Sequence, residues 1–179
     1  MGTKALVAYT SKYGSTQQVA EAVAATLRES GLAVDVQPMR KVRSLAGYAV
    51  VVLGAPFYLG AWHKDAQEFL LKHREALADR SPAAIRVAVF ALGPIGGNEM
   101  EWQAARAALD TELAKYPWLR PVAAELFGGK FDPGKLRFPD TMIVALPASP
   151  LHGIPASDMR DWTAIRAWAA HLAAELQPA

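Results

Sequence analysis

Short apolar runs alternate with helix-like patterns along most of this chain. Five runs dominated by Val, Ile, Leu, Ala and Phe have the length and composition of buried strands. They cover residues 4–9, 32–36, 48–54, 85–92 and 121–127. Apolar residues at three- and four-residue spacing predict amphipathic helices around residues 19–27, 63–79, 101–115 and 161–176. This repeated alternation predicts an α/β fold, in which a doubly wound parallel sheet carries helices on both faces.

One stretch, residues 128–157, departs from the alternation. It is rich in Gly and Pro around a short apolar piece, residues 141–146, and is too long for an ordinary strand-to-helix connection. We predict an insertion or extended loop before the last helix. The length of 179 residues favours one domain over the whole chain, residues 1–179.

Composition and charge remove several classes of function. The chain has no cysteine, so disulfides, thiolate nucleophiles and cysteine-ligated metal sites are excluded. It shows no leader pattern at Met1 and no apolar run of membrane-spanning length. The net charge of +2 is dispersed, which argues against nucleic acid as a partner. The lack of cysteine suits a reducing compartment, and we expect the cytoplasm.

Candidate chemistry begins in the loop after the first strand, which reads TSKYGST from Thr10 to Thr16. A helix follows it, and a helix start offers unpaired N–H groups that suit a phosphate, with hydroxyls as further donors. Gly14 allows close backbone approach. The loop matches neither the nucleotide-triphosphatase nor the dinucleotide-binding glycine pattern. Simple helix capping by Ser15 or Thr16 remains an alternative at this point.

The segment from Ser11 to Thr16 resembles the phosphate loop of the flavodoxin superfamily, Ser/Thr-x-Thr-Gly-x-Thr, except that Tyr13 replaces the central Thr. The resemblance implies a five-stranded parallel sheet of order 2-1-3-4-5 and a non-covalently bound FMN. It implies side-chain or backbone contacts to the FMN phosphate from Ser11, Gly14, Ser15 and Thr16. Lys12 and Tyr13 would contribute mainly backbone N–H groups, and Thr10 opens the loop.

The second loop, residues 55–63, contains an unusual number of rings. Aromatic faces can stack on a flavin, and Tyr58 and Trp62 are the stacking candidates. The wider set of expected contacts is Pro56, Phe57, Tyr58, Leu59, Gly60 and Trp62. The alternative is that individual rings cover the edge of the core. His63 fits two roles equally well, a proton donor near the flavin or a cap of the next helix.

The third loop follows the fourth strand and is rich in glycine. Small residues would let backbone groups reach the polar edge of the flavin, as the flavodoxin resemblance implies. The expected contacts are Leu92, Gly93, Pro94, Gly96 and Gly97. A flexible surface turn is the alternative. His73, His152 and His171 are too scattered for a metal site, and we expect them on the surface.

Two segments, residues 63–73 (HKDAQEFLLKH) and 127–131 (FGGKF), look like the menaquinone-dependent protoporphyrinogen IX dehydrogenase group of flavodoxin-like proteins. In that group the flavin takes electrons from a porphyrinogen and passes them to a quinone. The resemblance implies an FMN-dependent oxidoreductase with a small-molecule or protein redox partner. The alternative is an electron carrier with no substrate of its own. No catalytic acid–base pair is apparent.

Other interpretations remain open at this stage. Residues 128–150 are basic and apolar, and could form a substrate lip, a peripheral membrane contact or an ordinary surface loop. A receiver-type module would need acidic residues where Thr10, Ser11, Ala55 and Pro56 stand, which disfavours it. A flavodoxin fold that has lost its flavin is a further alternative, because Tyr13 and the second loop are atypical.

Overall fold

A computed structural model describes residues 3–58 and 60–176. Its strands are β1 (Lys4–Tyr9), β2 (Ala33–Pro38), β3 (Val50–Tyr58), β4 (Ala61–Trp62), β5 (Arg86–Leu92), β6 (Ala123–Phe127), β7 (Lys130–Phe131) and β8 (Ser157–Asp158). The five long strands form a parallel sheet of order β2-β1-β3-β5-β6. This confirms the predicted order 2-1-3-4-5, since β4 is only a short antiparallel partner of β3.

Helices cover both faces of this sheet. They are α1 (Ser15–Glu29), α2 (Lys64–Lys72), α3 (Arg74–Ala78), α4 (Glu99–Ala114) and α6 (Trp162–Leu176). Helix α5 (Asp140–Ala145) has no buried residue and lies outside these layers. Successive side chains of a strand point to opposite faces. Accordingly Val7 packs in a core with α1 and α6, while Leu6 packs in a second core with α2, α3 and α4. Trp162 and Trp168 of α6 are partly buried against the first core.

The predicted helix over residues 63–79 is two helices, because the chain turns at His73. His73 was expected on the surface, and that expectation is wrong: it is only 8% exposed. Its ring lies 4.6 Å from the ring of Phe69, centroid to centroid. Burial lowers the pKa of His73, and the neighbouring charge of Lys72 lowers it further.

The second loop is shorter than predicted, because β3 continues through Tyr58. Residues 55–58 extend the strand, and Phe57 pairs with Trp62 across a tight hairpin. Beyond Gly54, β3 no longer pairs with β1 and keeps only β5 as a parallel neighbour. Proline has no N–H to donate, and Pro56 is tolerated there because β1 no longer pairs with β3 at this position. Gly60, with a φ of 80°, forms the turn.

The segment 128–157 contains structure of its own. Strands β7 and β8 pair antiparallel and bring the two ends of the segment together. Between them lie a short 3₁₀ turn, Pro133–Lys135, and helix α5. Over the described residues, no helix is long and apolar enough to cross a membrane.

Candidate functional site

The first loop lies at the carboxyl end of β1 and leads directly into α1. Gly14 is the N-cap residue of α1, with a φ of 90° that a glycine adopts without strain. No side chain caps this helix start, and no acidic residue lies in its first turn. The structure therefore does not use Ser15 or Thr16 as the cap. The N–H groups of Ser15, Thr16 and Gln17 begin the helix and have no acceptor within it.

Thr16 carries the clearest sign of a ligand in this loop. Thr16 is 1% exposed, yet its hydroxyl has no hydrogen-bond partner among the described residues. A buried hydroxyl without a partner is costly, so such a group calls for an explanation. Ser11 accepts a hydrogen bond from the Gly14 N–H at 2.9 Å, which leaves its own hydrogen available for donation. Hydroxyls and free amides at a helix start fit a phosphate group.

The side chains of Lys12 and Tyr13 turn towards helix α5. The Lys12 ammonium lies 2.6 Å from the Asp140 carboxylate, and the Tyr13 hydroxyl donates a hydrogen bond to the same carboxylate. These two hydrogen bonds, Lys12 first, lower the pKa of Asp140. Burial, followed by the bond to Asp140, raises the pKa of Tyr13. The side chains of these two residues thus hold the segment 128–157, and a ligand contact through their backbone remains a prediction.

Thr10 connects the first loop to the second. It is buried, and its N–H donates to the Gly54 carbonyl at 3.0 Å. Its hydroxyl lies 3.2 Å from Nδ1 of His63 and 3.5 Å from Oδ2 of Asp65. His63 Nδ1 also accepts from the Asp65 N–H at 3.3 Å, which makes His63 the cap of α2. The structure supports the capping role, and a proton-donor role remains a prediction.

Phe57 and Trp62 of the second loop turn their rings inward. Trp62 is 4% exposed and stacks on Tyr116, with ring centroids 6.3 Å apart and an interplanar angle of 28°. Phe57 packs against the same core, and Pro56 is buried. Trp62 is therefore placed as a core residue and not as a ring exposed for stacking. Leu59 and the side chain of Tyr58 lie outside the described residues, so their roles remain predictions.

The third loop is braced by helix α4. The Ile95 N–H donates to the Glu101 carboxylate at 3.2 Å, and the Trp102 indole N–H donates to the Gly96 carbonyl at 3.2 Å. Leu92 and Pro94 are buried, Gly93 and Gly96 are half-buried, and Gly97 is exposed. These bonds argue against the flexible-turn alternative. The sequence analysis did not predict these contacts of Glu101 and Trp102, because both residues fall within the pattern of the predicted helix.

Gly129, near the start of the segment 128–157, and Met159 and Arg160, just after its end, connect the third loop to the first. Gly129 donates to the Pro94 carbonyl at 2.6 Å and accepts from the Met159 N–H at 2.9 Å. The next residue, Arg160, reaches the first turn of α1, where its guanidinium donates to the Ser15 carbonyl at 3.3 Å. Arg160 also binds Asp158 at 2.6 Å and lowers the pKa of that carboxyl to about 2. Neither Asp140 nor Arg160 was anticipated, because each lies more than a hundred residues from the first loop.

Among the described residues, no group of three or more His, Cys, Asp or Glu side chains could hold a metal ion. The arrangement is instead that of three loops at the carboxyl ends of β1, β3 and β5, which is where open α/β sheets bind ligands. A family model described as "Flavodoxin domain" matches residues 6–155. The chain belongs to the flavodoxin domain family. Proteins with this fold bind a flavin, typically FMN.

Individual relatives agree with this assignment. The chain is 30% identical over 131 residues to "Protoporphyrinogen IX dehydrogenase [quinone]" of Escherichia coli strain K12, which covers 65% of this chain and 72% of the relative. Oxidised flavodoxin 1 from Bacillus cereus has the same fold, with a TM-score of 0.60 at 14% identity, covering 98% of this chain and 100% of the flavodoxin. A flavodoxin from Streptococcus pneumoniae gives a TM-score of 0.59 at 16% identity, with coverages of 97% and 100%.

Proposed function

We propose that this protein is an FMN-binding oxidoreductase of the flavodoxin family. The observation that carries the proposal is the buried, partnerless hydroxyl of Thr16 beside an uncapped helix start. Bound FMN would supply the redox chemistry, and the protein would supply binding, orientation and exclusion of water. We also propose that residues 1–179 form one flavodoxin-like domain, with residues 128–157 as an insertion.

The first loop would hold the FMN phosphate. Thr16 and Ser11 would donate their hydroxyl hydrogens, and the amides at the start of α1 would donate alongside them. The positive end of the α1 dipole would add to the attraction, and it is not offset by any acidic residue in the first turn. Lys12 and Tyr13 would contribute through their backbone.

The flavin ring would lie between the second and third loops. Tyr58 is the stacking candidate that the sequence analysis leaves in place, since Trp62 packs in the core. The third loop, held by Glu101 and Trp102, would present backbone groups to the polar edge of the ring. The Thr10 hydroxyl and His63 Nδ1, which lie 3.2 Å apart, would hold the first and second loops together.

The resemblance to protoporphyrinogen IX dehydrogenase supports a porphyrinogen as electron donor and a quinone as acceptor. The alternative, which is consistent with membership of the flavodoxin domain family, is a flavodoxin-type electron carrier with no substrate of its own. We propose a cytoplasmic location in either case. An anaerobic assay of FMN-loaded protein with a porphyrinogen and a quinone separates the two, because a carrier would give no turnover with either compound.

Cofactor binding is tested first, by the visible spectrum of the purified protein and by titration of flavin-free protein with FMN and with riboflavin. Thr16→Val removes the hydroxyl and keeps the shape. Because a hydrogen bond to a charged group contributes about 1.5–3 kcal/mol, we expect FMN affinity to fall about 10- to 100-fold and riboflavin affinity to stay unchanged.

Thr26→Val is the matched control. Thr26 is also buried on α1, but its hydroxyl already donates to the Ala22 carbonyl within the helix at 3.1 Å. We expect this variant to bind FMN like the wild type. Equal weakening of FMN and riboflavin in Thr16→Val would disprove the phosphate role of the loop. A colourless protein that micromolar FMN does not reconstitute would disprove the cofactor.

A further inference from the structure

Helix α5 presents its faces in the opposite sense to an ordinary surface helix. Its acidic residue, Asp140, turns towards the body of the protein and contacts Lys12 and Tyr13. Its apolar residues turn towards solvent instead: Met142 is 62% exposed and Ile143 is 52% exposed. A helix that exposes its apolar side chains and turns its carboxylate inward presents a surface suited to contact with a partner.

The exposed apolar surface extends to both ends of α5. Phe138, before the helix, is 78% exposed, and Leu146, after it, is 57% exposed. Leu146 lies four residues after Met142 and three after Ile143, and both spacings bring side chains to the same side of a helical turn. We call Phe138, Met142, Ile143 and Leu146 the α5 patch. The other large exposed apolar side chains of the described residues, Leu71, Met100 and Val122, are scattered on other elements.

The charge around the α5 patch is basic. Asp140 is the only acidic residue from position 133 to 157, and the Lys12 ammonium 2.6 Å away compensates it. The same stretch contains Lys135 and Arg137, both exposed. Lys135 lies 3.9 Å from Asp132, a distant and solvent-accessible pairing. An apolar surface with basic neighbours, beside which Asp132 and Asp140 each face a lysine, complements the anionic face of a lipid bilayer.

A second copy of this chain is a weaker fit. A standard protein interface buries roughly 800 Å² on each partner. Four side chains that are each only partly exposed provide less than this. Two identical patches would also bring Lys135 and Arg137 of one copy close to the same residues of the other. A lipid surface needs neither a large area nor an opposite charge from the protein.

We propose that residues 133–157 dock on an anionic lipid surface. The α5 patch enters the headgroup region, while Lys135 and Arg137 contact lipid phosphates. The Lys12–Asp140 and Tyr13–Asp140 contacts keep α5 beside the first loop, so docking brings the candidate cofactor site close to the bilayer. The docking surface does not depend on flavin, so lipid binding and cofactor binding are tested independently.

The test is co-sedimentation of the full chain, as purified, with vesicles of phosphatidylcholine alone and with vesicles containing about one third phosphatidylglycerol. We expect binding to the anionic vesicles only, weakening as salt rises. The double substitution Met142→Glu and Ile143→Glu should lower the partition coefficient at least tenfold. Leu71→Glu with Met100→Glu is the control: it changes equally exposed residues and the same net charge, and should bind like the wild type.

The cysteine-free chain allows a second measurement. Ile143→Cys carrying an environment-sensitive fluorophore should shift to the blue with anionic vesicles, while the same label at the exposed Ala170→Cys should not. Flavin content is recorded for every variant, so loss of cofactor and loss of lipid binding are told apart.

Three results would overturn the proposal. The first is no sedimentation of the wild type with anionic vesicles. The second is equal loss in both double variants, which would assign the effect to net charge alone. The third is a dimer, seen by light scattering without lipid, that Met142→Glu with Ile143→Glu abolishes; the patch would then join two copies of the chain.

Discussion

The proposed phosphate end and the proposed ring end of the candidate site are built in different ways. The phosphate end is local: Gly14, Thr16 and the start of α1 lie within a few residues of one another. The ring end is assembled from separate parts, the second loop and the third loop, and Gly129 binds the third loop from 35 residues further along the chain. The difference teaches that neighbours in the sequence form the proposed phosphate end, whereas the proposed ring end forms only when separate loops are folded together.

Gly129→Ala should break the ring end and give the largest effect. A Cβ at this position would lie 2.5 Å from the Gly93 carbonyl oxygen, which is backbone and cannot turn aside. Overpacking of this kind costs about 1–3 kcal/mol. We expect the free energy of unfolding to fall by that amount in denaturant titrations, and the affinities for FMN and riboflavin to fall together by about tenfold or more.

Gly134→Ala is a suitable comparison for that variant, because its Cβ would meet only the movable Asp132 carboxylate, at 3.3 Å. Its stability and flavin binding should stay near those of the wild type. If Gly129→Ala weakened FMN but left riboflavin unchanged, the assignment of Gly129 to the ring end would be wrong.

Gly14→Ala should affect the phosphate end alone. The left-handed backbone at Gly14 costs an alanine about 1–2 kcal/mol, although no atom lies within 4 Å of the added Cβ. We expect a loss of stability of that size and about a tenfold loss of FMN affinity, with riboflavin unaffected. The measurement is a fluorescence titration with each flavin.

Gly31→Ala is the matched control for Gly14→Ala. Gly31 lies at the other end of α1 with nearly the same φ, 91°, and equally free space. It should lose the same stability and keep its FMN affinity. A similar FMN loss in both variants would mean that Gly14 acts through folding and not through the phosphate.

An acid titration gives the smallest effect, and it separates the phosphate from the protein. A phosphate ester has a second pKa of about 6, so FMN affinity should fall below that pH while riboflavin affinity does not. Burial lowers the pKa of His73 in the folded state. The unfolded chain therefore binds the extra proton first, and stability falls as the pH drops below about 6.5, by at most about 1.4 kcal/mol per pH unit.

His73→Leu should flatten this stability loss in denaturant titrations between pH 7 and pH 5, and it should leave the pH dependence of FMN binding in place. His171→Leu, at an exposed position, should leave the stability profile unchanged. If His73→Leu retained the full stability loss, another group would be responsible for it.

The first loop could be predicted from the sequence because its geometry is local. The strand, the glycine and the hydroxyls follow one another, and a helix start has the same free amides wherever it occurs. The order of the sheet was also predicted, through the resemblance to flavodoxins. Both features depend on patterns that a single stretch of chain carries.

The second loop shows why the rest could not be predicted. An aromatic residue in a loop suits a flavin and a core edge equally well, and only the hairpin register decides between them. Trp62 pairs with Phe57, and residues paired across a hairpin share a face, so both pack inward. The contacts of Lys12 and Tyr13 with Asp140 join residues more than 120 positions apart, which no local pattern reports.

Met159 and Arg160 are adjacent in the chain and connect the third loop with the start of α1. Met159 is bonded to Gly129, and through it to Pro94, while Arg160 is bonded to Ser15 and Gln18 at the start of α1. A displacement of either loop is therefore transmitted to the other through one peptide bond. Cleavage of the chain between Met159 and Arg160 should uncouple the first loop from the third loop. Cleavage in the exposed turn around residue 147 should leave the two loops connected.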